Sequence, residues 1–235
     1  MSKKHKKIDV THKFLPSYAF SIKDIKLTEK QREFVRLAKK ENCKVVFISG
    51  SAGTGKSFMS VFSGLLGLRE GRYSKIKYIR ALVESCQSKM GFLPGDVGDK
   101  VGPFCSALYD KLDELLSKYD TDKLINDKVI EILPPNFLRG VTFKDSLVIV
   151  DEAQEYCYKD LITVLSRIGE DCTIMFCYDP LQKDIRNSGI EELRNIFSDE
   201  ESVENGIYTF DFTSDDIMRS EILKFIIKKL ENKCK

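Results

Sequence analysis

Short apolar runs alternate along this chain with stretches in which apolar residues recur every three or four positions. Residues 28–40, TEKQREFVRLAKK, carry Phe34, Val35, Leu37 and Ala38 at helical spacing. The apolar, β-branched run 44–49 predicts a first core strand, and a helix is expected over 56–70. KIKYIRALV, 75–83, reads as a second strand. Val101, Phe104, Leu108, Leu112 and Leu115 keep helical spacing within 101–119, which predicts one helix there. VIEIL, 129–133, is a strand closed by Pro134 and Pro135. SLVIV, 146–150, is apolar throughout, as strands buried on both faces are. A helix over 158–169, a buried strand over 172–178 and a helix over 189–197 follow. IYTFDF, 207–212, alternates, and a last helix is expected from Ile217 to about Leu230. No internal repeat is visible. Strands that alternate with helices imply an α/β fold: one parallel sheet flanked by helices on both faces, with ligands at the carboxyl ends of the strands.

Composition narrows the class. The chain has 235 residues, 42% of them hydrophobic, enough for a substantial core, and no Pro/Gly/Ser-rich linker divides it. Thirty-eight Lys+Arg against 36 Asp+Glu leave overall charge neutral on the question of nucleic acid. The basic start, MSKKHKK, reads as a solvated, partly disordered terminus within a segment 1–24, or as a tether for a phosphate backbone. The apolar runs are too short to span a bilayer and no signal peptide precedes Ile8. Seven Cys without a C-x-x-C, and only two His, argue for reduced thiols in a cytoplasmic protein rather than a zinc site.

The chemistry is concentrated in KVVFISGSAGTGKSFMS, 44–60. Gly50, Ser51, Ala52, Gly53, Thr54, Gly55, Lys56 and Ser57 form G-x-x-x-x-G-K-S between the first strand and its helix, the context a phosphate-binding loop requires. Glycines let the backbone curl so that its N–H groups point inward at an anion, and the helix N-terminus adds its dipole. Lys56 would reach the β- and γ-phosphates, and the Ser57 hydroxyl would hold Mg²⁺. Asp151 and Glu152 end the apolar strand 146–150. The first acid is placed to hold the metal with Ser57, and the second to orient and deprotonate a water, which favours hydrolysis over transfer. Asp179 and Gln182, after the strand 172–178, would sit beside the γ-phosphate if the two strands are neighbours; a Gln amide can donate to phosphate and accept from water. Gln31 reads two ways, as the third residue of a Thr28 capping box or as an adenine ligand.

These pieces, with IRALVE at 79–84, KMGFLPGDVGDKVGPF at 89–104, IEILPPNFLRGVTFKDSLVIVDEAQ at 130–154, YDPLQKD at 178–184 and FTSDDIMRSEIL at 212–223, resemble the PhoH family of P-loop ATPases, relatives of superfamily 1 helicases. The resemblance runs from about Thr28 to Leu230 and implies one RecA-like domain over 25–235 that binds ATP and Mg²⁺. It puts Arg80, Arg139 and Arg219 at family arginine positions. The chain departs from the family pattern at Ala81 after Arg80, at Tyr178 before Asp179, where Gly is usual, and at Glu155 after Ala153-Gln154. Tyr178 is expected to crowd the turn that carries Gln182. Some family members carry a fused PIN nuclease or RNA-binding domain; no room for either is expected here. Compact members are common in phage genomes.

The leading expectation is an ATPase that moves or remodels RNA or single-stranded DNA. A slow ATP-binding switch that recruits a partner, and a P-loop kinase, are the alternatives. Helicase-like relatives take a finishing arginine from a second RecA domain, a contribution of about 10³ to 10⁵ in rate. With one domain expected, the neighbour would be another copy in a head-to-tail homo-oligomer, a hexameric ring, with Arg219 or Arg139 acting across the contact.

Overall fold

The computed structural model describes residues 18–80, 97–133, 140–182, 188–218 and 220–231. Six strands form one sheet, all parallel: β1 (Val45–Ser49), β2 (Lys75–Arg80), β3 (Ile130–Leu133), β4 (Ser146–Asp151), β5 (Thr173–Tyr178) and β6 (Ile207–Asp211), in the order β3-β2-β4-β5-β1-β6. The helices are α1 (Glu29–Ala38), α2 (Lys56–Arg69), α3 (Val97–Leu115), α4 (Lys118–Asn126), α5 (Tyr158–Leu165), α6 (Ile190–Ile196), α7 (Glu200–Glu204) and α8 (Glu221–Glu231).

The two-residue period of the strands divides the core in two. Val46, Ile48, Ile76, Tyr78, Leu147, Ile149, Met175 and Cys177 face one layer, where Phe34 of α1, Met59 and Leu65 of α2, Leu108 and Leu112 of α3 and Leu124 of α4 cover them. Val45, Phe47, Ile79, Val148, Val150, Ile174 and Phe176 face the other, against Leu161 and Val164 of α5 and Ile190 and Leu193 of α6. Each fully buried aliphatic or aromatic side chain contributes roughly 1.5–3 kcal/mol. Residues 18–27 run as a strap ahead of α1, with Tyr18, Phe20, Ile22, Ile25 and Leu27 packed on the first layer and Lys23 N donating to Leu115 O at 2.8 Å. The packed chain therefore starts ahead of residue 25, and residues 1–17 lie outside the described region.

Three local readings need correction. The single helix expected over 101–119 is two: α3 ends at Leu115, and Ser117 turns extended and caps α4 by accepting from Asp120 N at 3.1 Å. That cap lets Leu124 return to the core. The helix α7, capped by Asp199 at 2.8 Å from Ser202 N, was not anticipated. The last helix begins at Glu221, not Ile217, because Thr213 and Asp216 cap a short 3-10 turn over Ser214–Asp216 and Ser220 accepts from Leu223 N at 3.2 Å. Positions 81–83 of the second strand, and Pro134 and Pro135, lie outside the described residues. Among the described residues no helix is long and apolar enough to cross a membrane.

A candidate nucleotide-binding site

The turn between β1 and α2, the candidate phosphate loop, is built from close contacts. A Cβ at Gly50 would stand 2.9 Å from both Phe212 Cβ and Thr54 Oγ1, so only glycine fits under the 212 strand end. Gly55 sits at φ 87, ψ 15, the left-handed region, as the N-cap of α2. Thr54 is fully buried and donates from Oγ1 to Ser51 O at 2.8 Å, which holds the loop closed on itself. From outside, Met218 N donates to Gly53 O at 3.3 Å and Ser51 Oγ donates to Glu231 Oε1 at 2.8 Å, so the C-terminal segment braces the loop. The Lys56 ammonium folds back onto the carbonyl oxygens of Gly50 and Ser51, 3.1 Å from the latter. The N–H groups of a first helical turn and a lysine on the same lip are the parts from which an anion site could be made.

Strand order brings the acids to that lip. β5 lies between β1 and β4, so the carboxyl ends of all three adjoin. Asp151, 2% exposed, is held on both oxygens: Ser57 Oγ donates to Oδ1 and the Tyr78 hydroxyl to Oδ2. Arg80 pairs in register with Asp151 across β2 and β4, its NH1 4.0 Å from Oδ2, and Lys111 Nζ of α3 stands 4.0 Å from the same oxygen. Burial and then the Asp151 charge push the Tyr78 phenol upward, so it stays a neutral donor. Burial works against the Arg80 charge, but Asp151, Tyr78 and Glu152 outweigh it and raise the guanidinium further. A hydroxyl and a carboxylate in contact at a helix N-terminus are hard oxygen donors suited to Mg²⁺. Ser57 and Asp151 would hold that ion, which would supply charge neutralisation to phosphate oxygens.

Glu152 follows in a left-handed backbone, φ 53 and ψ 45, unusual for a residue with a Cβ and costing roughly 1–3 kcal/mol. The kink turns its carboxylate into the cleft. Arg80 NH2 stands 3.4 Å from Oε1, and Gln154 Nε2 donates to Oε2 at 2.8 Å. The Gln154 carbonyl accepts from Asp179 N at 3.0 Å, so one buried amide ties the acid pair to the end of β5.

The cleft measures about 670 Å³, within the range of small-molecule sites. Gln182, Asp179, Glu152 and Lys56 line it, and so do Ile25, Leu27, Phe58 and Gln31. Gln31 does form the capping box: Oε1 accepts from Thr28 N at 3.0 Å, and Gln31 N donates to Thr28 Oγ1 at 3.2 Å. Its Nε2 nevertheless faces the loop, 3.6 Å from where a Gly55 Cβ would be. A carbonyl oxygen has a second lone pair, so the cap leaves the amide able to meet a base edge. Tyr178 does not occupy the turn that carries Gln182: its ring is buried in the second layer and its hydroxyl accepts from Arg194 at 3.2 Å.

The cleft thus gathers the loop residues, Gln31, Arg80, Asp151, Glu152 and Gln182, with Ser51 and Thr54 holding the loop's shape. Arg139 and Arg219 lie outside the described residues. Sequence reasoning missed Tyr78, Lys111 and Gln154. Tyr78 sits two places before Arg80, on the same strand face, a signal usable only once β2 and β4 are known to be neighbours.

The family model described as PhoH-like protein matches residues 24–231. The chain belongs to that family. It is 33% identical over 198 residues to the PhoH-like protein of Bacillus subtilis, covering 84% of this chain and 61% of that one. It is 32% identical over 207 residues to the PhoH-like protein of Synechocystis, covering 87% and 61%. Protein PhoH2 of Mycolicibacterium smegmatis is 36% identical over 155 residues, covering 66% and 36%. The chain therefore spans between about a third and three fifths of these relatives' length. In fold it is similar to the large terminase from a thermophilic bacteriophage (TM-score 0.56, 12% identity, 87% of this chain and 50% of that one). It is also similar to the Sulfolobus solfataricus SWI2/SNF2 ATPase core in complex with dsDNA (TM-score 0.50, 12% identity, 83% and 46%). The fold of this family member is that of a RecA-like P-loop ATPase.

Proposed function

We propose that the chain binds ATP with Mg²⁺ in this cleft and hydrolyses it, and that turnover drives a rearrangement on RNA or single-stranded DNA. The observation that carries the reading is the meeting of Ser57 and Asp151, which sets the phosphate loop against an acid pair whose second member opens into the cleft. Lys56 would neutralise phosphate charge, Asp151 and Ser57 would hold the metal, and Glu152 would orient a water and take its proton. Gln31 would meet the adenine, and Gln182 the γ-phosphate or the water. The nucleic-acid partner is supported by likeness in fold to the SWI2/SNF2 ATPase core, whose structure is in complex with dsDNA.

A finger arginine from a second copy belongs to the same reading. Among the described residues Arg80 is the one arginine that lines the cleft, and it is already engaged with Glu152. Arg219 or Arg139 of a neighbour, in a ring such as a hexamer, would complete the charge. Phosphate release from ATP, measured with and without RNA and single-stranded DNA at fixed salt, tests the reading. Acceleration by one of the strands is expected, and release that no strand alters removes the nucleic-acid step.

One observation favours a second reading, an ATP-binding switch with slow turnover. Among the described residues Arg80 is the one arginine lining the cleft and it is already engaged with Glu152, so a single copy has no spare guanidinium to speed transfer. Slow basal release with tight ATP binding would distinguish it.

A further inference from the structure

We propose that Lys111 is a γ-phosphate ligand, supplied by the same chain that supplies the phosphate loop; the inference rests on ATP being the occupant of the cleft. No phosphate motif contains this residue. It lies on α3, whose face Ala107, Asp110, Lys111 and Glu114 lines the cleft.

Its position along the cleft follows from two contacts. The C-terminal end of α3 is tied to the strap by Lys23 N and Leu115 O at 2.8 Å, and strap residues Ile25 and Leu27 line the cleft together with Gln31, the candidate adenine ligand. One turn back along α3, Lys111 Nζ stands 4.0 Å from Asp151 Oδ2. The ammonium therefore addresses the acid end, where the terminal phosphate would lie, and not the base end.

Among the described residues its chemistry is under-used. An ammonium has three N–H bonds. One goes to Ala107 O at 2.6 Å, a carbonyl of its own helix, and Asp151 is beyond hydrogen-bond reach. Asp151 does not need it, because Ser57 and Tyr78 already donate to both carboxylate oxygens. The side chain is 20% exposed, withdrawn from bulk water yet open to the cleft. Lys56 is parked in the same way, on the carbonyls of Gly50 and Ser51. Two ammonium groups that rest on backbone carbonyls and line one cleft, Lys56 from the loop and Lys111 from α3, would clamp a phosphate anion. Charge-assisted hydrogen bonds of this kind are the strong ones.

The test compares Lys111→Met, which keeps the stem and drops the charge, with Lys111→Arg, in the full chain with Mg²⁺. Binding of ADP and of the slowly hydrolysed analogue ATPγS is titrated by competition against a fluorescent nucleotide, beside kcat for ATP. For Lys111→Met we expect ADP affinity within about twofold of wild type, ATPγS affinity roughly tenfold weaker and kcat lower by about 10- to 100-fold. Lys111→Arg should recover the preference for ATPγS. Mixing Lys111→Met with Lys56→Ala chains should restore no activity, since both defects lie in one site. An unchanged ratio of ATPγS to ADP affinity in Lys111→Met overturns the proposal. So does an equal loss of both nucleotides with a lower Tm, the mark of a structural neutraliser of Asp151. Restored activity on mixing would place Lys111 in a neighbour's site and overturn the same-chain claim. If the wild-type chain binds neither nucleotide, the nucleotide reading itself fails, a result distinct from all of these.

Discussion

Gln154 ties Glu152 to the end of β5: its Nε2 donates to Glu152 Oε2 at 2.8 Å while its carbonyl accepts from Asp179 N at 3.0 Å. The residue that would activate water is thus fastened to the strand end that carries Gln182. Gln154→Ala should leave ATP affinity within about twofold and lower kcat by roughly tenfold, because the base loses its orientation. It should also lower Tm, since Asp179 N is left buried without a partner, at a cost of about 1–3 kcal/mol. Unchanged kcat with lower Tm would make Gln154 structural only.

Lys56→Ala removes the ammonium from the loop. Turnover should fall to background and nucleotide affinity should drop by at least about tenfold, read by the same competition titration. Turnover at the wild-type rate would remove the phosphate-loop assignment.

Tyr78→Phe deletes one hydroxyl and nothing else. Asp151 Oδ2 loses its donor while Oδ1 keeps Ser57. The Mg²⁺ concentration for half-maximal turnover should rise several-fold, as when an outer support of a metal ligand is lost, with kcat at saturating Mg²⁺ changed far less. An unaltered Mg²⁺ profile would show that Asp151 is positioned without Tyr78.

Alkaline pH should unfold the chain through its buried acids. Burial pushes Cys43 and Cys172 from 9.0 to about 11, Cys177, with the Asp151 charge adding, from 9.0 to about 12, and Tyr73 from 10.0 to about 12; Tyr78 and Tyr156 are raised as well. These groups stay neutral in the folded chain where the unfolded chain ionises. Their contribution is complete below about pH 9 and is lost as pH rises through 9–12. The urea midpoint should hold steady to about pH 8 and then fall, and Tyr78→Phe should show a shallower alkaline limb. A flat midpoint to pH 11 would contradict the burial of these groups.

The sheet was legible because fully buried parallel strands read as continuous apolar runs, as at 146–150 and 172–178, and the helices between them kept a 3.6-residue period. The phosphate loop and the acid pair were legible because their chemistry is confined to a few adjacent residues. Ser117 hid a helix break inside an unbroken apolar period, since the cap is one side chain acting on the Asp120 backbone. Tyr78, Lys111 and Gln154 hid for another reason. Tyr78 and Lys111 act on Asp151 and Gln154 reaches Asp179, contacts that strand order and helix docking create, and a lone Tyr, Lys or Gln carries no spacing signal of its own.

The central claim is that Glu152, turned into the cleft by its left-handed backbone, is the base for hydrolysis and not a metal ligand. Glu152→Gln keeps the shape and removes the base, while Asp151 and Ser57 remain. The direct measurement is single-turnover hydrolysis of radiolabelled ATP beside ATP affinity, for wild type and Glu152→Gln, with Mg²⁺ present. The account predicts affinity within about threefold of wild type and a hydrolysis rate lower by about 10²-fold or more. Wild-type hydrolysis by Glu152→Gln, or lost binding with the rate retained, would contradict it.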